Sequence, residues 1–382
     1  MRAATYCSKR IRPKVPSLLF GLTLLLSSSA WAQTGIRSAN LFNPELSSNI
    51  ALVGGYSSRD SQTRANALAS GINIQELELR LGANADPFFR FDVSLAAHTH
   101  EGSMDIGFEE AYLSTLALPS LTVRAGKFRV NFAKESLQHA HARRFIDAPL
   151  PLLHIFSSDH LLGTGVSLDY LAPLPFFTEL NLQMVEAHWS AAQDEDDPHA
   201  GHNHGSDSDD DTEAHRFSYV GHLKTFFELG EASTIEFGAS AILNAEDLVN
   251  WRKTWGADLT LKWVPPGAAR YTSLEWLTEY MSSELDGITT EGLYTGIRYQ
   301  TSQRWWIQQR GALLDFTAKA NNQAYRSESL VAFAPSERTA LRLQYGFEDS
   351  LNDKGASAKP LPVHEVFLQA IVSIGPHPAH AY

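Results

Sequence analysis

The chain has 382 residues, with 31 Lys+Arg against 43 Asp+Glu and a formal net charge of −12. That acidity argues against a nucleic-acid partner and for cations. Its single cysteine, Cys7, excludes an internal disulfide and a cysteine metal site.

The first residues read as an export signal. Arg2, Lys9, Arg10, Arg12 and Lys14 precede the apolar run SLLFGLTLLL at 17–26, and Ala30, Trp31 and Ala32 supply an A-x-A site, so cleavage after Ala32 is expected. The leader is basic and holds no acid, which leaves the exported chain more acidic still. The exported chain has no Pro/Gly/Ser linker to divide it, so one large closed structure is the simpler reading.

From Asn49 onward, apolar and polar residues alternate with period two, the strand signal. In ELELRL, Leu77, Leu79 and Leu81 oppose Glu76, Glu78 and Arg80; in FRFDVSLA, Phe89, Phe91, Val93 and Leu95 oppose Arg90, Asp92 and Ser94. TELNLQM, ADLTLKW and ALRLQYGF repeat the pattern. Strands are predicted to begin near 49, 71, 87, 105, 119, 163, 175, 215, 233, 251, 269, 290, 303, 325, 337 and 363. Links on one rim are short, at 84–87, 117–120, 172–175, 228–233, 264–269, 299–303 and 334–337. On the other rim they include the long stretches 58–70, 130–162, 189–214 and 349–362.

Short turns on one rim and long loops on the other are the pattern of an outer-membrane barrel. Each alternating stretch approaches the roughly 9–11 residues that a tilted strand needs to cross the apolar layer, and closure leaves no backbone group facing lipid. The fold class expected is therefore all-β, a transmembrane antiparallel β-barrel of about sixteen strands with a long third loop. The layout is a signal peptide over 1–32, a periplasmic segment over 33–48, the barrel over 49–375 and a tail over 376–382. Trp251, Trp255, Trp263, Trp276, Trp305 and Trp306 are candidates for interfacial girdles. The location expected is the outer membrane of a Gram-negative bacterium. Its lipid and lipopolysaccharide, the barrel-assembly machinery and further copies of the chain in a homo-oligomer would be the partners.

A barrel this wide is expected to hold an aqueous channel, so the third loop, NFAKESLQHAHARRFIDAPLPLLHIFSSDHLL at 131–162, becomes the candidate constriction. His139 and His141 stand two apart, as do His98 and His100, which on an extended segment puts both rings on one side. Imidazole and carboxylate ligands suit zinc, and Asp147, Glu135, Asp159 or His160 could complete a site. The alternative is a polar lining without metal. Lys134, Glu135, Arg143 and Arg144 are the candidate constriction charges, with Lys127 and Arg129 nearby. Arginines there could clamp an anion, or Arg143 and Arg144 could simply pair with Asp147 and Glu135.

The fourth loop on the long-loop rim, between the seventh and eighth predicted strands, reads DEDDPHAGHNHGSDSDDDTEAH at 194–215. It is too polar to build a core, and His199, His202 and His204 among carboxylates make it a candidate weak metal collector. No G-x-S-x-G, H-E-x-x-H or phosphate-binding glycine loop occurs, so an enzyme is not expected.

With its inward third loop, the chain resembles general and phosphate-selective porins. QHAHARRFIDAPLPLL also resembles the QHxH…F[IV]DxPL pattern of porin-like proteins often labelled zinc-regulated or TonB-dependent outer-membrane receptors. The match falls on Gln138, His139, His141, Phe145, Ile146, Asp147, Pro149 and Leu150. FNPELS, Phe89 with the residues just before it, and FEEAYLSTLALP extend the resemblance over most of the chain. Residues 33–48 leave no room for a TonB-type plug, so a passive or facilitated channel is implied. The function expected is a porin-like channel for divalent metal, zinc foremost, with no required cofactor and zinc as ligand or solute. An anion-selective or general diffusion porin competes with it, as does a metal-binding surface receptor or structural barrel.

Overall fold

The structure, a computed structural model, describes residues 44–59, 68, 70–100, 103–156, 158, 160–187, 217–245, 250–316, 322–353 and 361–375. The first four strands are β1 (Glu45–Ser57), β2 (Gly71–Asn84), β3 (Phe89–His100) and β4 (Ser103–Thr115). Next come β5 (Leu121–Arg129), β6 (Leu162–Leu171), β7 (Phe177–Glu186) and β8 (Phe217–Glu228). They are followed by β9 (Ser233–Ala245), β10 (Trp251–Trp263), β11 (Ser273–Leu285) and β12 (Ile288–Ser302). The last are β13 (Trp305–Leu314), β14 (Asn322–Ser336), β15 (Thr339–Asp353) and β16 (Val363–Ile374). Each strand pairs antiparallel with its sequence neighbours, and β1 closes on β16 from Ser48↔Ile374 to Ser57↔Glu365.

Sixteen strands in a closed barrel is the architecture expected, with ends shifted by a few residues. β1 starts at Glu45, ahead of the expected 49. β11 starts at Ser273, later than 269, because the turn continues through Ala268 N–H donating to Pro265 O and Tyr271 N–H to Ala268 O.

Burial is inverted relative to a soluble protein. On β16, Val366, Leu368 and Val372 are exposed while Glu365 and Gln369 are buried; on β7, Leu180, Leu182 and Met184 face out against buried Asn181 and Gln183. An apolar exterior over a polar interior is what a lipid-facing barrel requires. Trp251, Trp255, Trp263, Trp276 and Trp305 are exposed on that exterior. Trp306 departs from the expected girdle, since it packs inside against the cluster of Phe145, Ile146 and Phe367.

The lumen holds the main departure. β5 pairs with β4 only from Ala111↔Lys127 to Ser114↔Arg124, and Gly126 sits at φ 135°, where a Cβ would lie 2.2 Å from Ala111 O. Only glycine fits so close an approach. Past Lys127 the strand keeps only its β6 partner, and after Arg129 the chain leaves the wall and enters the barrel, forming a 3-10 turn (Glu135–Leu137) and α1 (Leu150–Phe156). Phe132, Leu150, Leu152, Leu153, Ile155, Phe156 and Leu161 bury there against Leu277, Met281, Tyr294, Ala312 and Leu314 of the wall. The sequence predicts a wet interior; the structure puts the largest apolar cluster inside it. The loop's leucines and phenylalanines gain by leaving water for each other and for the few apolar residues on the inner face.

Candidate metal centre

Two irregularities in the ladder build the site. Along β2, Ala51 pairs with Glu76 and Leu52 with Ile74, which leaves Gln75 as an extra residue. Along β4, Ser94 pairs with Glu110 and Leu95 with Phe108, which leaves Glu109 extra. A bulge re-aims neighbouring side chains, so adjacent residues turn to the same face. Glu76, Glu78, Glu109 and Glu110 are all buried on the inner wall, and Gln75 donates from Nε2 to Ile146 O of the loop at 2.7 Å.

The loop supplies the imidazoles. His139 and His141 lie on the same side, ring centroids 5.6 Å apart and planes at 27°. His139 Nδ1 is 3.1 Å from Glu109 Oε2 and 3.7 Å from Glu76 Oε1, and Nε2 is 3.6 Å from Glu110 Oε2. His141 Nδ1 is 2.8 Å from Glu76 Oε2 and 3.4 Å from Glu78 Oε2. His98 joins at the edge, with Nε2 3.5 Å from Glu109 Oε1 and Nδ1 2.8 Å from Gln75 O. Outer partners orient the carboxylates: Ser94 Oγ donates to Glu78 Oε1 at 3.2 Å, and the His141 N–H to Glu76 Oε2 at 2.9 Å.

Glu76, Glu78 and His141 offer one set of ligand atoms within 4.8 Å of one another, and Glu76, Glu109 and His139 a second. Glu76 is 1% exposed and its Oε1 has no hydrogen-bond partner, an acceptor that a cation would satisfy. Arg129 intrudes on the second set, its Nη2 2.7 Å from Glu109 Oε2 and 3.0 Å from His139 Nδ1. Burial and Arg129 both oppose charge on His139, yet the surrounding carboxylates of Glu109, Glu110 and Glu76 outweigh them and hold its pKa well above the usual imidazole range. A metal taking this imidazole must displace a proton.

The other candidates are placed differently. Asp147 lies apart from the histidines, and both its oxygens are taken: Oδ1 by Arg310 Nη2 at 3.0 Å and Gln344 Nε2 at 2.8 Å, Oδ2 by Arg326 Nη2 at 2.5 Å. Glu328 bridges the same two arginines, and the Arg310 guanidinium stacks 4.4 Å over the Phe145 ring. That saturation, not proximity to His139, is what Asp147 is built for. Arg144 pairs with Glu135 at 2.7 Å as one reading anticipates, and also with Glu275. Arg143 is buried, and its carbonyl accepts from Arg342 Nη1 at 2.8 Å. Lys134 reaches the wall of β9 and β10, its Nζ 2.5 Å from Glu236 Oε1. Lys127 donates from its ammonium to Phe108 O at 2.7 Å. The His100 side chain, His199, His202, His204, Asp159, the leader and the tail 376–382 lie outside the described residues.

Sequence reasoning did not single out the four glutamates. Glu76 and Glu78 were legible as the polar face of ELELRL. The adjacent pair in FEEAY breaks strict alternation and is itself a bulge signal.

No family profile matches the chain. A protein of Aquifex aeolicus (strain VF5) described as uncharacterized is 27% identical over 346 residues, covering 82% of this chain and 70% of its own length. Among solved structures, the anion-selective porin from Comamonas acidovorans superposes with TM-score 0.57 at 12% identity, over 87% of this chain and 99% of its own. OprB of Pseudomonas putida gives 0.56 at 9%, over 87% and 94%. The DcaP channel of Acinetobacter baumannii gives 0.52 at 13%, over 87% and 97%. The fold is that of the outer-membrane porins. These matches carry the porin side of the resemblance and lend nothing to the zinc-regulated or TonB-dependent labels.

Proposed function

We propose that the protein is an outer-membrane porin-like channel whose third loop admits divalent transition-metal cations, zinc foremost. One observation carries the reading: two buried imidazoles from the loop converge with Glu76, Glu78 and Glu109 of the wall, and Glu76 Oε1 is left without a hydrogen bond. Nitrogen and carboxylate donors without thiolate suit zinc and its neighbours. Ligands divided between a loop and a wall allow capture and release without unfolding the barrel. The stretch 194–215 would raise the local metal concentration at the outer mouth through many weak ligands. The leader over 1–32 would direct export, and assembly into a homo-oligomer is consistent with the trimer form of Vibrio cholerae OmpT, which shares the fold at TM-score 0.54.

A second reading, an anion-conducting pore, is favoured by Arg298 and Arg342 on the inner wall. Arg342 donates to the carbonyls of Arg143 and His141, and Arg298 lies 5.7 Å over the Trp306 ring. Zinc entry into proteoliposomes loaded with a zinc-sensitive dye separates the two. The double variant His139→Ala/His141→Ala should slow zinc entry about tenfold or more, as expected when two metal ligands worth at least about 1.4 kcal/mol together are lost. Unchanged zinc entry, with anion conductance dominating in bilayers, would favour the second reading.

A further inference from the structure

Loop 3 is also anchored across the lumen from the histidines, on the wall of β9, β10 and β11. Lys134 Nζ sits 2.5 Å from Glu236 Oε1, 2.5 Å from Thr260 Oγ1 and 3.9 Å from Asp258 Oδ1. Its backbone N–H donates to Glu279 Oε1 at 2.5 Å, and the Tyr294 hydroxyl donates to the other oxygen of Glu279. The ammonium therefore serves two carboxylates and the backbone N–H of the same residue a third, and two of the three are less than a tenth exposed. Like charges this close in a poorly hydrated site call for positive charge or protons between them.

Two further observations point to a ligand. Asp258 is 7% exposed, and its Oδ1 has no hydrogen-bond partner. Beside it a small gap is bordered by Asp258, Glu279, Phe132, Ala133 and Met281. The surroundings are shaped for the carboxylate: at Gly238 a Cβ would lie 1.8 Å from Asp258 Oδ2. Ala133, next to the lysine, sits at φ 60°, a conformation an alanine holds only where its surroundings enforce it.

We propose that this wall is a latent second cation station, occupied by the tethered ammonium of Lys134, which a hard divalent cation takes once that ammonium is withdrawn. The donors are all oxygen, which fits magnesium, calcium or manganese and distinguishes the station from the histidine cluster. The inference rests on the charge and shape of this wall and stands apart from the zinc reading. Lys134 acts here as an internal competitor: while its ammonium is in place the divalent cation is held off.

The test uses the full-length protein in detergent with Mn²⁺ alone as the probe, bound metal being read from loss of the free-ion electron paramagnetic resonance signal. Lys134→Met should bind one Mn²⁺ more per chain than the wild type, Lys134→Arg should not, and Lys134→Met/Asp258→Asn should lose the gain. Lys134→Gln keeps a donor toward Thr260 and guards against loss of fold, which the heat-dependent gel shift reports. Equal Mn²⁺ stoichiometry in the wild type and both folded neutral variants would overturn the proposal. So would an extra ion that persists when Asp258 is also replaced. Zinc binding, followed separately with His139→Ala/His141→Ala, leaves the two stations independently testable.

Discussion

Asp147 is a principal anchor of the middle of loop 3, since Arg310, Arg326 and Gln344 all converge on its carboxylate. Burial alone would raise its pKa, but Arg326 and Arg310 outweigh burial and hold it well below the ordinary carboxylate range. A group with a depressed folded pKa adds stability that is complete above its unfolded value, about 3.9, and is lost as pH falls through the folded value. Loop anchoring by Asp147 should therefore be constant from neutral pH down to about 4 and weaken only below it. Hydrogen exchange of the amides at 142–150 checks this. In the wild type, protection should hold to about pH 4 and then fall. Asp147→Asn should show faster exchange even at pH 7, because breaking one side of a buried ion pair costs about 3–5 kcal/mol. Identical exchange in the two proteins at pH 7 would remove Asp147 as the anchor. His139 runs in the opposite sense: its raised pKa means that its contacts as a cation are complete below about 6.5 and fade only as pH rises through the raised value. At this scale the sequence is informative where spacing alone decides, as for His139 and His141. It is silent where distant partners decide, as for the arginines that claim Asp147.

Loop 3 and the strands it touches show the same division one scale up. The strands are legible because period two is a local property, and so is the contrast between short and long links. Where LPLLHIF comes to rest is not local. α1 lies against β12, where Gly292 leaves a notch and an added Cβ would be 2.3 Å from Pro151 Cβ. Nothing in the loop's own pattern names a glycine more than a hundred residues away. Gly292→Val should push α1 off the wall, with an overpacking cost of about 1–3 kcal/mol borne by the loop, not by the ladder. The expected outcome is a barrel that still shows its heat-dependent gel shift but has larger single-channel conductance and faster proteolysis within 131–161. A variant with unchanged conductance and unchanged loop cleavage would mean that α1 does not restrict the lumen. The bulges behave similarly. FEEAY hints at the one in β4, whereas the one in β2 emerges only from the pairing of Ala51 with Glu76 and of Leu52 with Ile74.

For the whole molecule, closure is the governing property. β1 and β16, the first and last strands, meet along the register from Ser48↔Ile374 to Ser57↔Glu365, so the sheet has no free edge. A lipid-embedded edge would leave backbone donors and acceptors unpaired in a medium that cannot satisfy them, at several kcal/mol each. Closure also makes opening cooperative, because no strand can peel away without breaking two ladders. The inward loop adds to this, tying β2 and β4 through His139 and His141, β9 and β11 through Lys134, and β13 and β14 through Asp147. Detergent at room temperature should therefore leave the barrel compact, and boiling should open it. The wild-type protein is expected to run at two positions on a denaturing gel, faster unheated and slower after boiling. Removing residues 363–375 takes away β16 and creates two edges, one on β1 and one on β15. That variant should run only at the boiled position and should aggregate when its detergent is withdrawn, since unpaired edges template pairing between chains. A truncated protein that kept the unheated position would show that the ladder between β1 and β16 does not close the barrel.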